Sequence, residues 1–127
     1  MRSAKPDVVI GSLGTISKDL ESIPFNGEKR YVKGAMGCVL GIGLGYALGS
    51  EKRVLVLIGD GSLLMKMGSL ASILRYRLKN LRVAIINNRS YASCGGQQTN
   101  FKYVENLLSH DGQPYNSRAY KVFEISE

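Results

Sequence analysis

Two polar sequences follow two aliphatic runs near the middle of the chain, and their residue types are those that bind magnesium. Asp60 stands in "GDGS" directly after the aliphatic residues 54–58, and Asn88 ends "INN" after a second such run. A carboxylate and an amide oxygen are hard ligands suited to Mg²⁺, which completes its octahedron with water and phosphate oxygens. The pair therefore predicts a magnesium site.

The residues next to Asp60 predict an anion beside that metal. Gly59 and Gly61 allow the backbone to turn sharply and to approach a phosphate closely. Ser62 stands at the predicted start of a helix, where free amides and the helix dipole favour negative charge. Together these residues predict a diphosphate bridged by Mg²⁺.

The elements that must position these residues are two strands joined by a helix. Residues 54–58 are a continuous apolar run, and residues 81–88 contain a second one at 83–86, a pattern typical of strands covered on both faces. Between them, apolar residues recur at helical spacing as far as Leu78. A right-handed βαβ crossover would bring both polar strand ends to one edge of a parallel sheet, where open α/β folds bind ligands. We expect an α/β fold with a doubly wound, mostly parallel sheet and helices on both faces.

Shorter elements flank this unit. In residues 34–49, Gly37, Gly41 and Gly45 recur every four residues and would share one helix face. This spacing predicts the close approach of another backbone or of a ligand, with tight helix packing as the alternative. The other segments predict a strand at 7–10, a helix at 17–23 capped by Ser17, a loop at 24–30 and a strand at 120–126.

Composition limits the class of protein. A chain of 127 residues with 44% apolar and 21% charged residues fits one compact domain, residues 1–127. The net charge of +7 is densest at residues 75–82, where cations suit a helix C-terminus; attraction of anionic molecules or an acidic partner stays open. No nucleic-acid motif, membrane span or signal pattern is evident. Cys38 and Cys94 lack metal or disulfide spacing, so we expect reduced thiols in a cytoplasmic protein.

"GDGS" followed by "INN" across a βαβ crossover resembles the thiamine diphosphate-binding signature. The segments "VKGAMGCVLGIGLGYAL", "GDGSLLMKMGSLASI" and "INNRSYASCGGQQT" further resemble the cofactor domain of phosphonopyruvate and sulfopyruvate decarboxylases. The likeness runs from about Gly11 to Thr99. It implies the thiamine diphosphate-binding fold, with thiamine diphosphate and Mg²⁺ as cofactors.

The resemblance also implies roles for individual residues. Asp60, the Asn88 side chain and the Ser90 carbonyl would bind Mg²⁺, and Gly61 and Ser62 would hold the diphosphate. The resemblance places further cofactor contacts at Thr15 for the diphosphate, at the Gly34 carbonyl for the aminopyrimidine, at Met36 as the wedge between the two rings, and at Gly59 and Tyr91. Core packing is the alternative role for Met36.

The loop after the metal-binding turn, "SCGGQQT", would lie over the cofactor. Gln97, Gln98 and Thr99 are donors suited to a substrate carboxylate or to a second acidic group on the substrate. A flexible surface loop is the alternative interpretation.

The activity implied by the resemblance is loss of CO₂ from a 2-oxo acid to give an aldehyde, a carboxy-lyase reaction of the phosphonopyruvate or sulfopyruvate type. In this class a glutamate on a separate pyrimidine-binding domain activates the cofactor, and no segment here corresponds to that domain. We therefore expect a cofactor-binding subunit of a hetero-oligomer, whose partner chain supplies the glutamate and whose substrate is a small anionic 2-oxo acid.

Other classes of function stay open to different degrees. A dinucleotide-binding Rossmann-like module is disfavoured, because no G-x-G-x-x-G opens the helix and no acid ends the next strand. A cofactor subunit like those of acetolactate synthase or of 2-oxoacid oxidoreductases remains an alternative. So does a non-catalytic scaffold that keeps cofactor binding.

Overall fold

The fold is built around one parallel sheet. The structure, a computed structural model, describes residues 5–12, 14–91, 95–105, 109–110, 113–114 and 120–124. Within them, five strands pair in the order β2-β1-β3-β4-β7, and every pair is parallel. The strands are β1 (Val8–Gly11), β2 (Glu28–Tyr31), β3 (Val54–Gly59), β4 (Leu81–Asn87) and β7 (Tyr120–Glu124); β5 (Ser109–His110) and β6 (Gln113–Pro114) form a separate antiparallel pair.

The helices cover both faces of this sheet, as expected for a doubly wound α/β fold. They are α1 (Thr15–Ser22), α2 (Val39–Leu48), α3 (Asp60–Met65), α4 (Ser69–Tyr76) and α5 (Lys102–Glu105). Apolar residues of α2, α3 and α4 pack with alternate residues of β1, β3 and β4 in the main core. On the opposite face, Leu20 of α1 lies against Gly11, and Ile16 lies against Gly59. The predicted fold class is confirmed.

The two central strands follow from their apolar sequences. Residues of β3 alternate between fully and partly buried positions, and β4 is mostly buried. They pair directly and in parallel, from Val54 opposite Leu81 to Gly59 opposite Ile86. The predicted βαβ unit is therefore present, and its two strand ends lie at the same edge.

Two local predictions near the N-terminal part of the chain were wrong. Residues 28–31 form β2 at the edge of the sheet rather than part of a loop, because an edge strand tolerates the charged sequence "EKRY" that hid it. Ser17 does not cap α1, since the helix already begins at Thr15 after Gly14, whose φ of 85° only glycine adopts readily. The Ser17 hydroxyl instead donates to the Ser12 carbonyl.

The single helix expected after Gly61 is divided into two. α3 ends at Met65, where the Lys66 N–H donates to the Leu63 carbonyl at 3.2 Å in a tighter turn. α4 then begins at Ser69, after Gly68. Apolar spacing does not detect this interruption, because residues before and after it both reach the same core.

Of the three glycines predicted to allow the close approach of a backbone or a ligand, only Gly37 has a close neighbour among the described residues. Among the described residues, nothing lies within 4 Å of a Cβ placed at Gly41 or Gly45, so these residues leave that face of α2 uncovered. Gly43, outside the stripe, is the tightly packed one, since a Cβ there would lie 2.2 Å from Val56 Cγ2. Gly37 does make a close approach: its φ is +86°, and an added Cβ would lie 2.8 Å from the Ser62 carbonyl oxygen.

Membrane insertion has no support in the helices. Among the described residues, none of them combines the length and apolar character that a bilayer crossing needs.

Candidate functional site

Three polar residues lie directly beyond the carboxyl ends of adjacent strands. Ser12 follows β1, Asp60 follows β3, and Asn88 follows β4. Since these strands are parallel neighbours, the three residues share one edge of the sheet. The chain winds from β1 to one side and from β3 to the other, so this edge contains the switch point at which such sheets bind ligands.

Asp60 is the first residue of α3, and its side chain is only 1% exposed. The Thr99 hydroxyl donates to Asp60 Oδ2. Within the described residues, no lysine or arginine forms an ion pair with this carboxylate. A buried carboxylate without a cation is costly, so its environment suits a bound metal ion.

Asn88 and Ser90, in the turn after β4, are the predicted sources of neutral oxygens for the metal. Asn88 Oδ1 accepts the Ser90 backbone N–H at 3.2 Å, which fixes the amide in a turn through Arg89, whose φ is 64°. An amide oxygen retains a second lone pair for another ligand. In the described part of the chain, no group of three or more His, Cys, Asp or Glu side chains could hold a metal. The predicted donor set, one carboxylate with neutral oxygens, is of the kind that fits Mg²⁺ better than a transition metal.

A pair of hydroxyls joins the end of β1 to α3. Ser12 Oγ donates to Ser62 Oγ at 3.2 Å, and both side chains are buried. Ser62 was predicted as an anion contact, whereas Ser12 was missed. The predicted strand at 7–10 ended one residue too early, and Ser12 is the first residue after β1 as the structure has it.

Gly61 is required by its contact with Tyr91. A Cβ at Gly61 would lie 2.5 Å from Tyr91 Cε1, so the Tyr91 ring lies directly on the first turn of α3. This contact brings the turn that bears Asn88 and Ser90 against the helix that bears Asp60. Gly59 precedes α3 in an extended conformation, with φ of −77° and ψ of 157°.

The predicted substrate loop folds back on the turn after β4, at Ser90 and Tyr91. The Tyr91 N–H donates to the Gln97 carbonyl at 2.8 Å, and Ser90 and Gln98 form an antiparallel bridge. The Gln97 and Gln98 side chains are exposed, whereas Thr99 is buried with its hydroxyl on Asp60. Beside this loop lies a pocket of about 340 Å³ whose lining includes Arg89, Gln98, Thr99 and Lys102.

The remaining predicted cofactor residues lie on neighbouring segments. Gly34 and Met36 belong to the connection between β2 and α2; Gly34 is exposed with φ of 70°, and Met36 is half-buried. Thr15 begins α1, but its side chain is outside the described part of the structure. Residues 92–94, including Cys94, also lie outside it, whereas Cys38 is a free cysteine immediately before α2.

The family model for the thiamine pyrophosphate enzyme C-terminal TPP binding domain matches residues 10–121. The chain belongs to this family. The match includes every element from the end of β1 to the start of β7, and with it all the residues predicted to bind cofactor. The predicted resemblance to thiamine diphosphate-dependent enzymes is confirmed, and with it thiamine diphosphate as the cofactor of the family.

Among curated relatives, the sulfopyruvate decarboxylase subunit beta of Methanocaldococcus jannaschii is 39% identical over 101 residues, which cover 80% of this chain and 54% of that protein. The same subunit from Methanothermobacter thermautotrophicus is 43% identical over 93 residues, 73% of this chain and 50% of that protein. Phosphonopyruvate decarboxylase of Streptomyces hygroscopicus is 38% identical over 91 residues, 72% of this chain and 23% of that protein. The thiamine pyrophosphate-binding domain thus spans about half the length of the beta subunits it matches.

Proposed function

We propose that this domain binds thiamine diphosphate through a Mg²⁺ ion held by Asp60, the Asn88 side-chain oxygen and the Ser90 carbonyl. The observation that carries the proposal is the buried Asp60 carboxylate, which has a hydroxyl partner and, among the described residues, no cation. A metal ion supplies the missing positive charge, and diphosphate oxygens complete its coordination.

The diphosphate would lie over the start of α3. Backbone amides of Gly61 and Ser62 and the Ser62 hydroxyl are its proposed donors, with Thr15 as a further contact from α1. Ser12 supports Ser62, because its hydroxyl shares a hydrogen bond with that side chain. Gly59 belongs to the same turn and permits the close approach.

The ring systems would extend toward the connection between β2 and α2. The Gly34 carbonyl is the proposed acceptor for the aminopyrimidine amino group, and Met36 is the proposed wedge between the rings. Gly37 brings this connection within contact of Ser62, which places it next to the proposed diphosphate site. Tyr91 closes the opposite side by lying on Gly61.

The proposed activity is that of a carboxy-lyase acting on a 2-oxo acid. When bound, thiamine diphosphate supplies the electron sink for the loss of CO₂. Gln97 and Gln98 are the proposed donors to the substrate. Thr99, which was predicted with them, donates its hydroxyl to Asp60 instead. Arg89 and Lys102 in the adjacent pocket favour a substrate with a second acidic group, such as a sulfonate or phosphonate. This agrees with the names of the relatives.

The proposed active enzyme contains a second polypeptide. Two relatives are named as beta subunits, and the chain matches about half of each. The open face of α2 exposes Ile42 and Leu48, at 47% and 48%, beside Gly41 and Gly45. An exposed apolar helix face of this kind suits a protein partner. We propose that this partner carries the pyrimidine-binding domain and its activating glutamate.

Calorimetric titration with thiamine diphosphate, with and without Mg²⁺, tests the cofactor proposal. We expect removal of Mg²⁺ to weaken binding by the wild type at least about tenfold, because a metal–carboxylate contact is lost. Asp60→Ala should bind equally weakly in both conditions. Asp19→Ala, which removes an exposed acid on α1, is the matched control and should behave as the wild type. Equal affinity for all proteins in both conditions would contradict the metal bridge.

Assays of the purified chain with sulfopyruvate and phosphonopyruvate test the division of labour. We expect no decarboxylation by this chain alone and turnover once a partner carrying the activating glutamate is added. Robust turnover by the single chain would refute the two-polypeptide proposal while leaving the metal site intact.

A further inference from the structure

Thr99 connects two parts of the molecule that the proposed function uses separately. Its hydroxyl donates to Asp60 Oδ2, and its backbone N–H donates to the Arg89 carbonyl at 3.0 Å. One residue therefore bonds both to the carboxylate after β3 and to the turn after β4. These are the two segments that would share the cation.

The shape of the threonine side chain suits this double contact. Its Cγ2 methyl would lie 3.4 Å from a Cβ at Gly61, which places the methyl over the first turn of α3, while the hydroxyl lies on Asp60. A β-branched side chain has few χ1 rotamers, so both contacts hold it in one orientation. The Asp60 carboxylate therefore has a hydrogen-bond donor, Thr99, whose side chain is fixed in one rotamer.

The loop that carries the proposed substrate donors is anchored through the same residue. Gln97 and Gln98 pair with the turn through the Tyr91–Gln97 hydrogen bond and the Ser90–Gln98 bridge. Immediately after Thr99, Phe101 is 1% exposed in the core, and its N–H donates to Thr99 Oγ1 at 3.4 Å. The loop is therefore fixed at its C-terminal end by Thr99 and Phe101.

We propose that Thr99 is a positioning residue that orients the Asp60 carboxylate for the cation and thereby couples cation binding to the order of the Gly95–Gln98 loop. This inference rests on the proposed function for its cation part. The Thr99 hydroxyl occupies Oδ2 and leaves Oδ1 as the oxygen for the metal. A cation that fixes the carboxylate also fixes Thr99, and with it the hydrogen bonds of the loop.

Amide hydrogen exchange in the metal-free chain tests whether the Thr99–Asp60 hydrogen bond orders the Gly95–Gln98 loop. The reporters are the Tyr91 and Gly96 amides, which donate to the Gln97 and Tyr91 carbonyls. We expect Thr99→Val, which keeps the branched shape, to speed their exchange about tenfold, because it loses a hydrogen bond to a charged group. Thr99→Ser should restore slow exchange. Ser22→Ala, which removes an exposed α1 hydroxyl, is the control and should change nothing.

A double-mutant cycle separates this role from a general loss of structure. In an Asp60→Ala background, Thr99→Val should produce a much smaller increase in exchange than in the wild type, because the Asp60 partner is already absent and only the longer Phe101 N–H contact to Thr99 Oγ1 remains to be lost. Fully additive effects, or unchanged exchange in Thr99→Val alone, would overturn the inference.

The cation part is measured by adding Mg²⁺ and thiamine diphosphate. We expect the ligands to slow exchange of the reporter amides in the wild type and in Thr99→Ser but not in Thr99→Val, whose calorimetric affinity should fall about tenfold. Equal slowing in Thr99→Val would overturn the coupling. If the wild type shows no Mg²⁺-dependent binding, the proposed function fails, and the metal-free cycle still decides whether Thr99 holds Asp60 and the loop.

Discussion

Acidic residues at the two ends of the parallel strands have opposite electrostatic environments. The amino ends of the strands form one side of the sheet, the amino edge, and their carboxyl ends form the other, the carboxyl edge. At the amino edge, Asp7 accepts hydrogen bonds from Arg53 Nε at 3.0 Å and Nη2 at 2.8 Å, together with its backbone N–H at 2.9 Å. Glu28 accepts from Tyr46 at 2.9 Å and forms ion pairs with Arg30 and Lys52. These acids are partly exposed and are matched by cations of the same chain.

At the carboxyl edge, Asp60 is buried and has a neutral hydroxyl as its described partner. Ser12 and Ser62 are likewise buried and bond to each other. The acids of the amino edge are therefore paired with cations of this chain, whereas the described residues offer Asp60 no cation, which is why we propose that a metal ion binds there. The difference in charge pairing distinguishes the candidate site from the opposite end of the strands. The apolar pattern does not, since the same core strands run to both ends.

The largest expected effect concerns a glycine at each edge. A Cβ at Gly27 would lie 2.5 Å from the Asp7 carbonyl oxygen and 2.5 Å from the Phe25 ring. We expect Gly27→Ala to lower the free energy of unfolding by about 2 kcal/mol, because the Asp7 backbone immediately before β1 cannot move aside. Chemical denaturation measures this loss, and adding Phe25→Ala should not restore it.

At the carboxyl edge, Gly61→Ala meets the Tyr91 ring instead of backbone. Its expected cost is smaller, about 1 kcal/mol, and Tyr91→Ala should relieve it. Rescue at Gly27 by Phe25→Ala, or failure of rescue at Gly61, would show that the two edges do not differ in this way.

The next effect separates charge from structure at Asp60. We expect Asp60→Asn to leave the unfolding free energy of the metal-free chain unchanged or higher, because the substitution removes a buried charge and keeps an acceptor for Thr99. With Mg²⁺ and thiamine diphosphate at ten times the dissociation constant, the wild type should gain about 1.4 kcal/mol, and the variant none. Thermal unfolding with and without ligand measures both; a large loss without ligand would contradict the comparison.

The smallest effect is the pH dependence of the amino edge. Hydrogen bonds from the Arg53 guanidinium and then from its backbone N–H hold the pKa of Asp7 well below its ordinary value of 3.8. A lowered pKa stabilises the fold above the ordinary value, and this contribution is lost as the pH falls toward the lowered pKa. We expect Asp7→Asn to reduce stability slightly at pH 7 and progressively less as the pH falls below 3.8 toward the lowered pKa. Denaturation across this pH range measures the difference, and an effect of Asp7→Asn that stays constant with pH would contradict it.

The local sequence was sufficient to predict the buried strands, because their apolar runs stand in the sequence itself. The aliphatic run of β3 predicted a buried strand, which the structure confirms, and the motif after it predicted a thiamine diphosphate-binding domain, which the family match confirms. The ligand site at the end of that strand stays a prediction. β2 escaped prediction because an edge strand with the sequence "EKRY" lacks an apolar pattern. The division between α3 and α4 escaped because a short turn does not disturb apolar spacing.

Contacts between distant segments were the part that sequence could not supply. Thr99 was predicted as a substrate donor from its residue type, but its position on Asp60 depends on the path of the loop after β4. The same holds for Ser12 on Ser62 and Tyr91 on Gly61, which follow from the packing of whole strands. Residue type indicated which groups could do chemistry, and tertiary packing decided which of them meet.

The long sequence separations within the carboxyl edge have a consequence for how the protein acquires activity. Ser12 and Ser62 are 50 positions apart, and Asp60 and Thr99 are 39 apart. Parallel pairing across such distances forms slowly, because chain closure must precede the contacts that reward it. The residues proposed to hold the cation can therefore come together only after β1, β3 and β4 have assembled, so we expect a newly synthesised chain to bind its coenzyme only once the sheet has formed.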